Sequence, residues 1–187
     1  MQSEFKRSEG GFSLVEMLVV IALIGILSLI SVPAFMNYRN QSTFRADLRN
    51  FTHDLRMVRQ YAIANSVQTR VAVDFGSQSS KNYYFYSSAD NGATWTPLVL
   101  AGSSGPAGNM KVMDGLVWIN SVSGLPDADG DSRNNDIVYW PSGAMTLGSG
   151  ATSAQVVLRC AWKKIAYDTF TIGLSASGQV NSTGSHS

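Results

Sequence analysis

The longest apolar stretch of the chain lies near its amino terminus, where residues 17–38 include no charged side chain. A helix needs about 20 such residues to cross the hydrocarbon layer of a membrane, so the stretch predicts a transmembrane helix. Its amino end carries one carboxylate, Glu16. A charge in a membrane costs about 2.5 to 3.5 kcal/mol at the bilayer centre, so a chain that keeps one is expected to give it a partner. The pattern therefore predicts a helix that lies beside other chains.

A short basic segment precedes the predicted membrane helix. It contains Lys6 and Arg7, which place this end in the cytoplasm and the bulk of the chain outside by the positive-inside rule. A secretory signal peptide begins in a similar way but needs a small-residue cleavage site after the apolar run. Residues 31–36 offer no such site. Gly10 and Gly11 instead precede the run, where a protease at the cytoplasmic face would leave the helix attached.

Beyond Pro33 the pattern changes from uniformly apolar to amphipathic. Apolar residues recur at intervals of four, three, four, three and four, which is the spacing of one helix face. They are Phe44, Leu48, Phe51, Leu55, Val58 and Ala62. One long helix is expected from Phe12 to about Asn65, half in the membrane and half packed on a domain. Pro33 cannot donate a backbone hydrogen bond, so a kink or local melting is expected over residues 29–33.

The rest of this amphipathic segment is basic. Its charged residues are Arg39, Arg45, Arg49, Arg56 and Arg59 against Asp47 and Asp54. A solvated helix face with local ion pairs is the ordinary interpretation of such a pattern. Anionic headgroups, acidic filament neighbours and nucleic acid are the alternatives.

From Val67 onward the apolar period changes to two, the period of a β-strand. In a strand over residues 67–75, Val71 and Val73 are expected on the buried side and Gln68 and Arg70 on the other. Further strands are predicted over residues 83–87, 98–100, 115–122, 136–140, 154–161 and 168–174, with turns at 90–92, 141–143 and 177–179. Since no second helical stretch separates them, the predicted fold is α+β, a long amino-terminal helix packed on antiparallel β-sheets.

Composition narrows the function. Charged residues make up 14% of the chain and the net charge is +1, which gives no general attraction to nucleic acid or to an acidic substrate. Cys160 is the single cysteine, so no intrachain disulfide forms; burial in a strand is expected, and pairing between chains is the alternative. His53 and His186 do not combine with a nucleophile or a phosphate loop, so neither an enzyme nor a cofactor is predicted.

One acidic loop is a candidate for calcium. Carboxylates at alternate positions resemble the start of a calcium loop, because Ca²⁺ prefers six to eight oxygen ligands; the candidate ligands are Asp127, Asp129, Asp131 and Asp136. The match to an EF-hand is incomplete, since Ser132 and Val138 stand where glycine and glutamate belong. The alternative is a polar loop whose Asp and Asn side chains stabilise turns.

The sequence G-F-S-L-V-E, from Gly11 to Glu16, resembles the prepilin signature of type IV pilins and type II secretion pseudopilins. The resemblance implies that a prepilin peptidase cuts after Gly11 and methylates the new amino terminus of Phe12. It makes Glu16 the fifth residue of the mature chain and Pro33 the twenty-second, and it gives both a role in assembly. The amine of Phe12 would pair with Glu16 of a neighbouring subunit and set the stagger between subunits.

The carboxyl-terminal third resembles the GspH/FimT group of pseudopilins and minor pilins. The likeness lies in I-V-Y-W-P-S-G, then V-V-L-R, then F-T-I-G-L-S-A-S-G-Q-V, and it implies a long helix packed on antiparallel sheets. Some members bind DNA through arginines around the last glycine turn. Residues 178–181 include no basic side chain, and Lys163 and Lys164 are a weak substitute, so nucleic acid is not expected as a partner.

These features predict a minor pilin of a type IV pilus that primes, caps or modulates the filament. The alternative is a pseudopilin of a type II secretion system, and a DNA-uptake or adhesive tip subunit is the third reading. An aromatic patch for tip binding would come from Tyr83, Tyr84, Tyr86, Trp95 and Trp118. The expected partners are other pilins or pseudopilins, contacted through the helix, the prepilin peptidase and an inner-membrane assembly platform.

The predicted organisation follows the chain from its cytoplasmic end outward. Residues 1–11 are a leader that is removed, 12–36 the membrane half of the helix, 37–66 its amphipathic half, 67–182 the β domain and 183–187 a flexible tail. The expected location is the bacterial inner membrane with the β domain in the periplasm, and the filament after assembly.

Overall fold

The computed structural model describes residues 13–113, 115–160 and 168–185. The described residues form one helix, α1 (Leu14–Asn65), and ten strands. The strands are β1 (Gln68–Val73), β2 (Asn82–Ser88), β3 (Thr96–Pro97), β4 (Met110–Val112), β5 (Val117–Ser123), β6 (Asp136–Tyr139), β7 (Met145–Thr146), β8 (Ser153–Cys160), β9 (Asp168–Ser175) and β10 (Val180–Ser185). Contacts divide the chain into two compact units, Met1–Arg39 and Asn40–Ser187. The predicted α+β class is confirmed.

The described part of the first unit is the beginning of α1, and its apolar side chains are exposed. The hydroxyls of Ser28 and Ser31 donate hydrogen bonds to the carbonyls one turn earlier, at 2.7 and 2.8 Å. Pro33 lies within a continuous helix, so the melting expected over residues 29–33 is not seen. The loss of one backbone hydrogen bond at a proline is tolerated because the bonds on either side persist.

The second unit holds two antiparallel sheets. The first sheet has the order β3-β2-β1-β6-β7 with β4 also paired to β2, and the second has the order β10-β9-β8-β5. A backbone contact joins them, since Ile119 on β5 donates its N–H to Ser80 O and accepts from Gly76 N–H. Both sheets contribute to one hydrophobic cluster together with the carboxyl-terminal half of α1.

The amphipathic face predicted for the helix forms this cluster. All six predicted residues are buried, from Phe44 at 3% exposed to Ala62 at 0%. Phe51 packs edge-on against Tyr83 with ring centroids 4.9 Å apart, and Tyr83 packs in the same way against Phe85. The apolar spacing was therefore sufficient to find the helix side of the core.

The β region differs from the prediction in three places. The pairing of β2 with residues 96–97 replaces the strand predicted over 98–100, because Leu98 turns into the core after two residues. The short strands β4 and β7 were not predicted. β10 continues to Ser185 in register with β9, so residues 183–185 belong to the sheet and not to the tail predicted over 183–187.

Candidate functional site

Glu16 lies in the first turn of α1 and is exposed. Its backbone N–H donates to Ser13 O at 3.0 Å, and a carboxylate at a helix amino terminus is favoured by the helix dipole. No ion pair involves it among the described residues. Gly11 and Phe12 lie outside the described residues, so cleavage after Gly11 and methylation of Phe12 stay predictions.

An apolar surface surrounds the helix that follows Glu16. Its members are more than 40% exposed and include Leu14, Val15, Met17, Leu18, Ile21, Leu23, Ile24, Leu27, Leu29 and Ile30. By its length and composition the helix is long and apolar enough to cross a membrane. A surface of this size and character requires lipid or other apolar helices around it.

Arg59 connects the helix to the two turns that the sequence marked by P-S-G and S-G-Q. Its Nε donates to Gly143 O at 2.8 Å and its Nη2 to Ser177 O at 2.9 Å. The turns approach so closely that a Cβ on Gly178 would lie 2.1 Å from Gly143 O. The sequence of the last glycine turn, residues 178–181, contains no basic residue. In space Arg59 supplies one, and its Nε and Nη2 atoms are bound to backbone carbonyls of the two turns.

Arg70 is a buried cation on β1, 4% exposed. Its Nη1 lies 2.5 Å from Asp129 Oδ2 and 3.5 Å from Asp136 Oδ2, and its guanidinium stacks 4.3 Å from the centre of the Tyr86 ring and 5.2 Å from that of Trp95. Gln68 and Arg70 lie outside the hydrophobic cluster that contains Val71 and Val73, as the alternation predicts, but this second face of β1 is buried too and the strand is not half-exposed. Loops cover the outer face of β1 as well, and the carboxylates supply the charge that a buried arginine needs.

The same contacts affect the two carboxylates differently. Burial raises the pKa of Asp136 to about 6, although the N–H of Ala128 and the charge of Arg70 act to lower it. Ala128 N–H donates to Asp136 Oδ2 at 2.7 Å. Burial is the largest single influence on Asp129 and acts to raise its pKa. The hydrogen bond to Arg70, the charge of Arg70 and backbone hydrogen bonds together outweigh burial and leave that pKa below its usual value.

Three of the four candidate calcium ligands come together. Carboxylate oxygens of Asp127, Asp129 and Asp136 lie within 4.8 Å of one another. Arg70 is the positive charge that two of them face, and Asp127 accepts the backbone N–H groups of residues 130 and 132. Asp131 caps the loop by accepting from residue 133. Calcium binding therefore stays a prediction, in which the ion competes with a guanidinium for the same oxygens.

A second buried ion pair lies under the helix. Asp54, 2% exposed, accepts from Lys111 Nζ at 2.7 Å and from the hydroxyl of Tyr83 at 2.9 Å. Burial and the charge of Asp54 raise the pKa of Tyr83, so that hydroxyl stays a donor. The pair borders a groove of about 530 Å³ next to His53. These contacts of Asp54 tie α1 to β2 and β4. No periodic pattern predicts them, because the three residues are far apart in the sequence.

Only some residues of the predicted aromatic patch are accessible at the protein surface. Tyr83 and Trp118 are buried, while Tyr84, Tyr86 and Trp95 are half-buried. Trp140, which the patch did not include, is 41% exposed. Cys160 is buried at the end of β8, as expected. Lys163 and Lys164 lie outside the described residues.

An exposed apolar helix segment with one carboxylate in its first turn is followed by a helix segment packed on two antiparallel sheets, which is the predicted α+β architecture. Residues 6–32 match the family described as the prokaryotic N-terminal methylation motif. The matched segment contains Glu16 and the amino-terminal part of α1, the part of the chain whose sequence resembles a prepilin signature.

Two known proteins are similar to the chain. The "Prepilin peptidase-dependent protein A" of Clostridium perfringens (strain 13 / Type A) is 29% identical over 136 residues, which cover 72% of this chain and 83% of that protein. Among solved structures, the minor pseudopilin EpsH from the Type 2 Secretion System of Vibrio cholerae matches with a TM-score of 0.47 and 11% identity, over 75% of this chain and 94% of EpsH.

Proposed function

We propose that the chain is a minor pilin of a type IV pilus, a structural subunit that primes, caps or modulates the filament after processing by prepilin peptidase. The observation that carries the proposal is Glu16, an exposed carboxylate at the start of an exposed apolar helix, within a methylation motif over residues 6–32. A relative named for its dependence on prepilin peptidase supports the processing step. Cleavage follows Gly11, and Phe12 becomes the methylated amino terminus.

Pairing between subunits gives Glu16 its partner. A positive amine at a helix amino terminus is disfavoured by the dipole of its own helix, and an acidic neighbour offsets that. In an apolar fibre core, breaking one partner of a buried ion pair costs about 3 to 5 kcal/mol. The amine of Phe12 and the carboxylate of Glu16 in an adjacent subunit therefore fix the axial stagger, while the apolar surface of the two helices packs in the fibre.

The proposal also fixes where the chain resides before assembly. Lys6 and Arg7 hold the leader on the cytoplasmic side, where a peptidase reaches Gly11. The β domain is then periplasmic, and an inner-membrane assembly platform extracts the helix into the filament. Its partners are other pilins that present the same apolar helix.

The test replaces Glu16 in the native host and measures processing and assembly separately. Glu16→Ala is expected to be cleaved normally, because the cut lies five residues earlier, and to be lost from the sheared filament fraction on immunoblots. Glu4→Ala is the matched control, since that carboxylate is removed with the leader. Wild-type amounts of Glu16→Ala in the sheared fraction would contradict the pairing.

Deletion of the chain separates the pilus from a secretion system. Loss of surface pili with normal export of extracellular enzymes is the expected result. Loss of export with normal pili would overturn the proposal in favour of a pseudopilin.

A further inference from the structure

A small groove opens on the outer face of the first sheet, the face whose residues lie outside the hydrophobic cluster. Its volume is about 210 Å³. It is lined by Trp95 after β2, by Asp127 before β6 and by Trp140 and Thr146 at the edge of the sheet. Gln68 of β1 lines it too. Aromatic and polar groups therefore meet in a concave site that the structural role of the chain does not use.

The two tryptophans are fixed in orientation. Trp95 Nε1 donates to Ala128 O at 3.1 Å, and Trp140 Nε1 donates to Thr146 Oγ1 at 2.8 Å. These bonds use the single polar group of each indole, so ring surface is what remains for a ligand. Trp140 keeps 41% of its surface exposed, although large aromatic side chains are usually covered. The groove thus has rigid aromatic walls.

Gln68 brings a side-chain amide that is open to a ligand to the same groove. The residue is 4% exposed, and its side-chain amide makes no hydrogen bond to any other described residue. Its polar atoms are not among the buried side-chain atoms that lack a partner, so they remain accessible from the groove, where a ligand would replace water as their hydrogen-bond partner. A Cβ on Gly92 would lie 2.9 Å from Gln68 Oε1, so the glycine keeps the turn clear of this amide. A ligand in the groove would satisfy both its carbonyl and its NH₂ group.

We propose that this groove binds the ring of a neutral sugar, as found at the end of a glycan. The C–H groups on a sugar face carry partial positive charge and pack on the electronegative faces of aromatic rings. Hydroxyls on the sugar edge both donate and accept, which matches the Gln68 amide and the carboxylate of Asp127. The carboxylate of Asp127 is held in place by hydrogen bonds from the N–H groups of Gly130 and Ser132, at 2.9 Å each.

Size and charge argue against other ligands. The volume accommodates one ring and not an extended peptide, since sites for larger ligands run from about 300 to 1,000 Å³. Among the described residues that line the groove none is basic, which disfavours a nucleic acid or another polyanion. The inference concerns the β region alone and holds for either kind of filament.

The test uses the full chain in lipid nanodiscs, without sugar-based detergent. The probes are the methyl glycosides of glucose, galactose, mannose and N-acetylglucosamine, measured by saturation-transfer NMR and by titration of tryptophan fluorescence. At least one glycoside is expected to receive saturation at its ring protons. Trp140→Ala and Gln68→Leu are each expected to weaken its binding by about tenfold or more, as truncation of an anchor contact does.

Two controls separate loss of the site from loss of the fold. Trp140→Phe keeps an aromatic wall and is expected to retain binding within about threefold of the wild type. Val112→Ala changes an exposed apolar residue that does not line the groove and is expected to bind as the wild type does. Near-ultraviolet circular dichroism confirms that each variant is folded. Saturation transfer to none of the four glycosides, equal dissociation constants for the wild type and Trp140→Ala, or a peptide that binds in their place would overturn the proposal.

Discussion

The two halves of α1 are one helix in two surroundings. In the first unit, Leu23 and its apolar neighbours are exposed on all sides of the helix. In the second unit, Leu55 lies on a single apolar face that is completely buried against the sheets of the same chain. Both halves have regular helical backbone, so the difference lies only in which side chains are apolar and how they are distributed around the axis.

This difference shows where each half obtains its stability. An amphipathic face is satisfied within one chain, because one side packs and the other is solvated. A helix that is apolar all round has no such division and requires lipid or other helices. The first half therefore needs apolar surroundings from outside the chain, whereas the second half obtains its own from the β domain on which it packs.

The strongest way to test the comparison is one substitution made in both halves. Leu55→Ala removes a fully buried side chain and is expected to destabilise the β domain by about 2 to 5 kcal/mol. Leu23→Ala, at a residue 54% exposed, is expected to leave that stability unchanged. Urea unfolding followed by tryptophan fluorescence in nanodiscs measures both. A loss of domain stability in Leu23→Ala would show that the halves are not independent.

A smaller effect is expected where the second half reaches the turns. Arg59→Ala removes donors to Gly143 O and Ser177 O and should destabilise the domain by about 1.5 to 3 kcal/mol, the range for hydrogen bonds to a charged group. Arg56→Ala, at an exposed position on the same helix, is the matched control and should change stability by no more than about 0.5 kcal/mol. Equal effects for the two variants would refute the role given to Arg59.

The smallest effect depends on pH and belongs to the β domain only. The pKa of Asp136 is raised to about 6, so between pH 4 and 6 the folded chain holds a proton that the unfolded chain has released. Stability from this group is therefore greatest near pH 4 and below, and falls as the pH rises through 6, by about 1 to 2 kcal/mol between pH 4.5 and 6.5. Asp136→Asn should remove this fall, and chemical unfolding at pH 4.5 and 6.5 measures it. A fall of equal size in Asp136→Asn would assign the pH dependence to another group.

Periodicity was enough to predict the helix and most of the sheet. The burial of Leu55 and Val58 is predicted by apolar neighbours three and four residues away. The burial of the valines of β1 is predicted by apolar neighbours two residues away. Such signals are local, so they survive without knowledge of the fold. The turns at Gly143 and Gly178 were found for the same reason.

The polar contacts were not predictable in this way. The alternating pattern predicts Arg70 on the outer side of a half-buried strand. It does not predict the partners Asp129 and Asp136, because they are distant in sequence and approach Arg70 through the pairing of β1 with β6. Arg59 binds backbone carbonyls, which have no sequence signature at all. The exposure of Trp140 likewise depends on the loops around it and not on its own strand.

The contacts of Arg70 restrict which substitutions this chain can accept during evolution. Arg70 joins three separate parts of the chain, since β1 supplies the cation, β2 and its turn supply Tyr86 and Trp95, and the loop that leads into β6 supplies the carboxylates. A single substitution of Arg70 by an apolar residue strands two carboxylates, whereas joint loss of cation and carboxylates leaves an ordinary apolar layer. Relatives of this chain should therefore keep or lose the three charges together, as a covarying set.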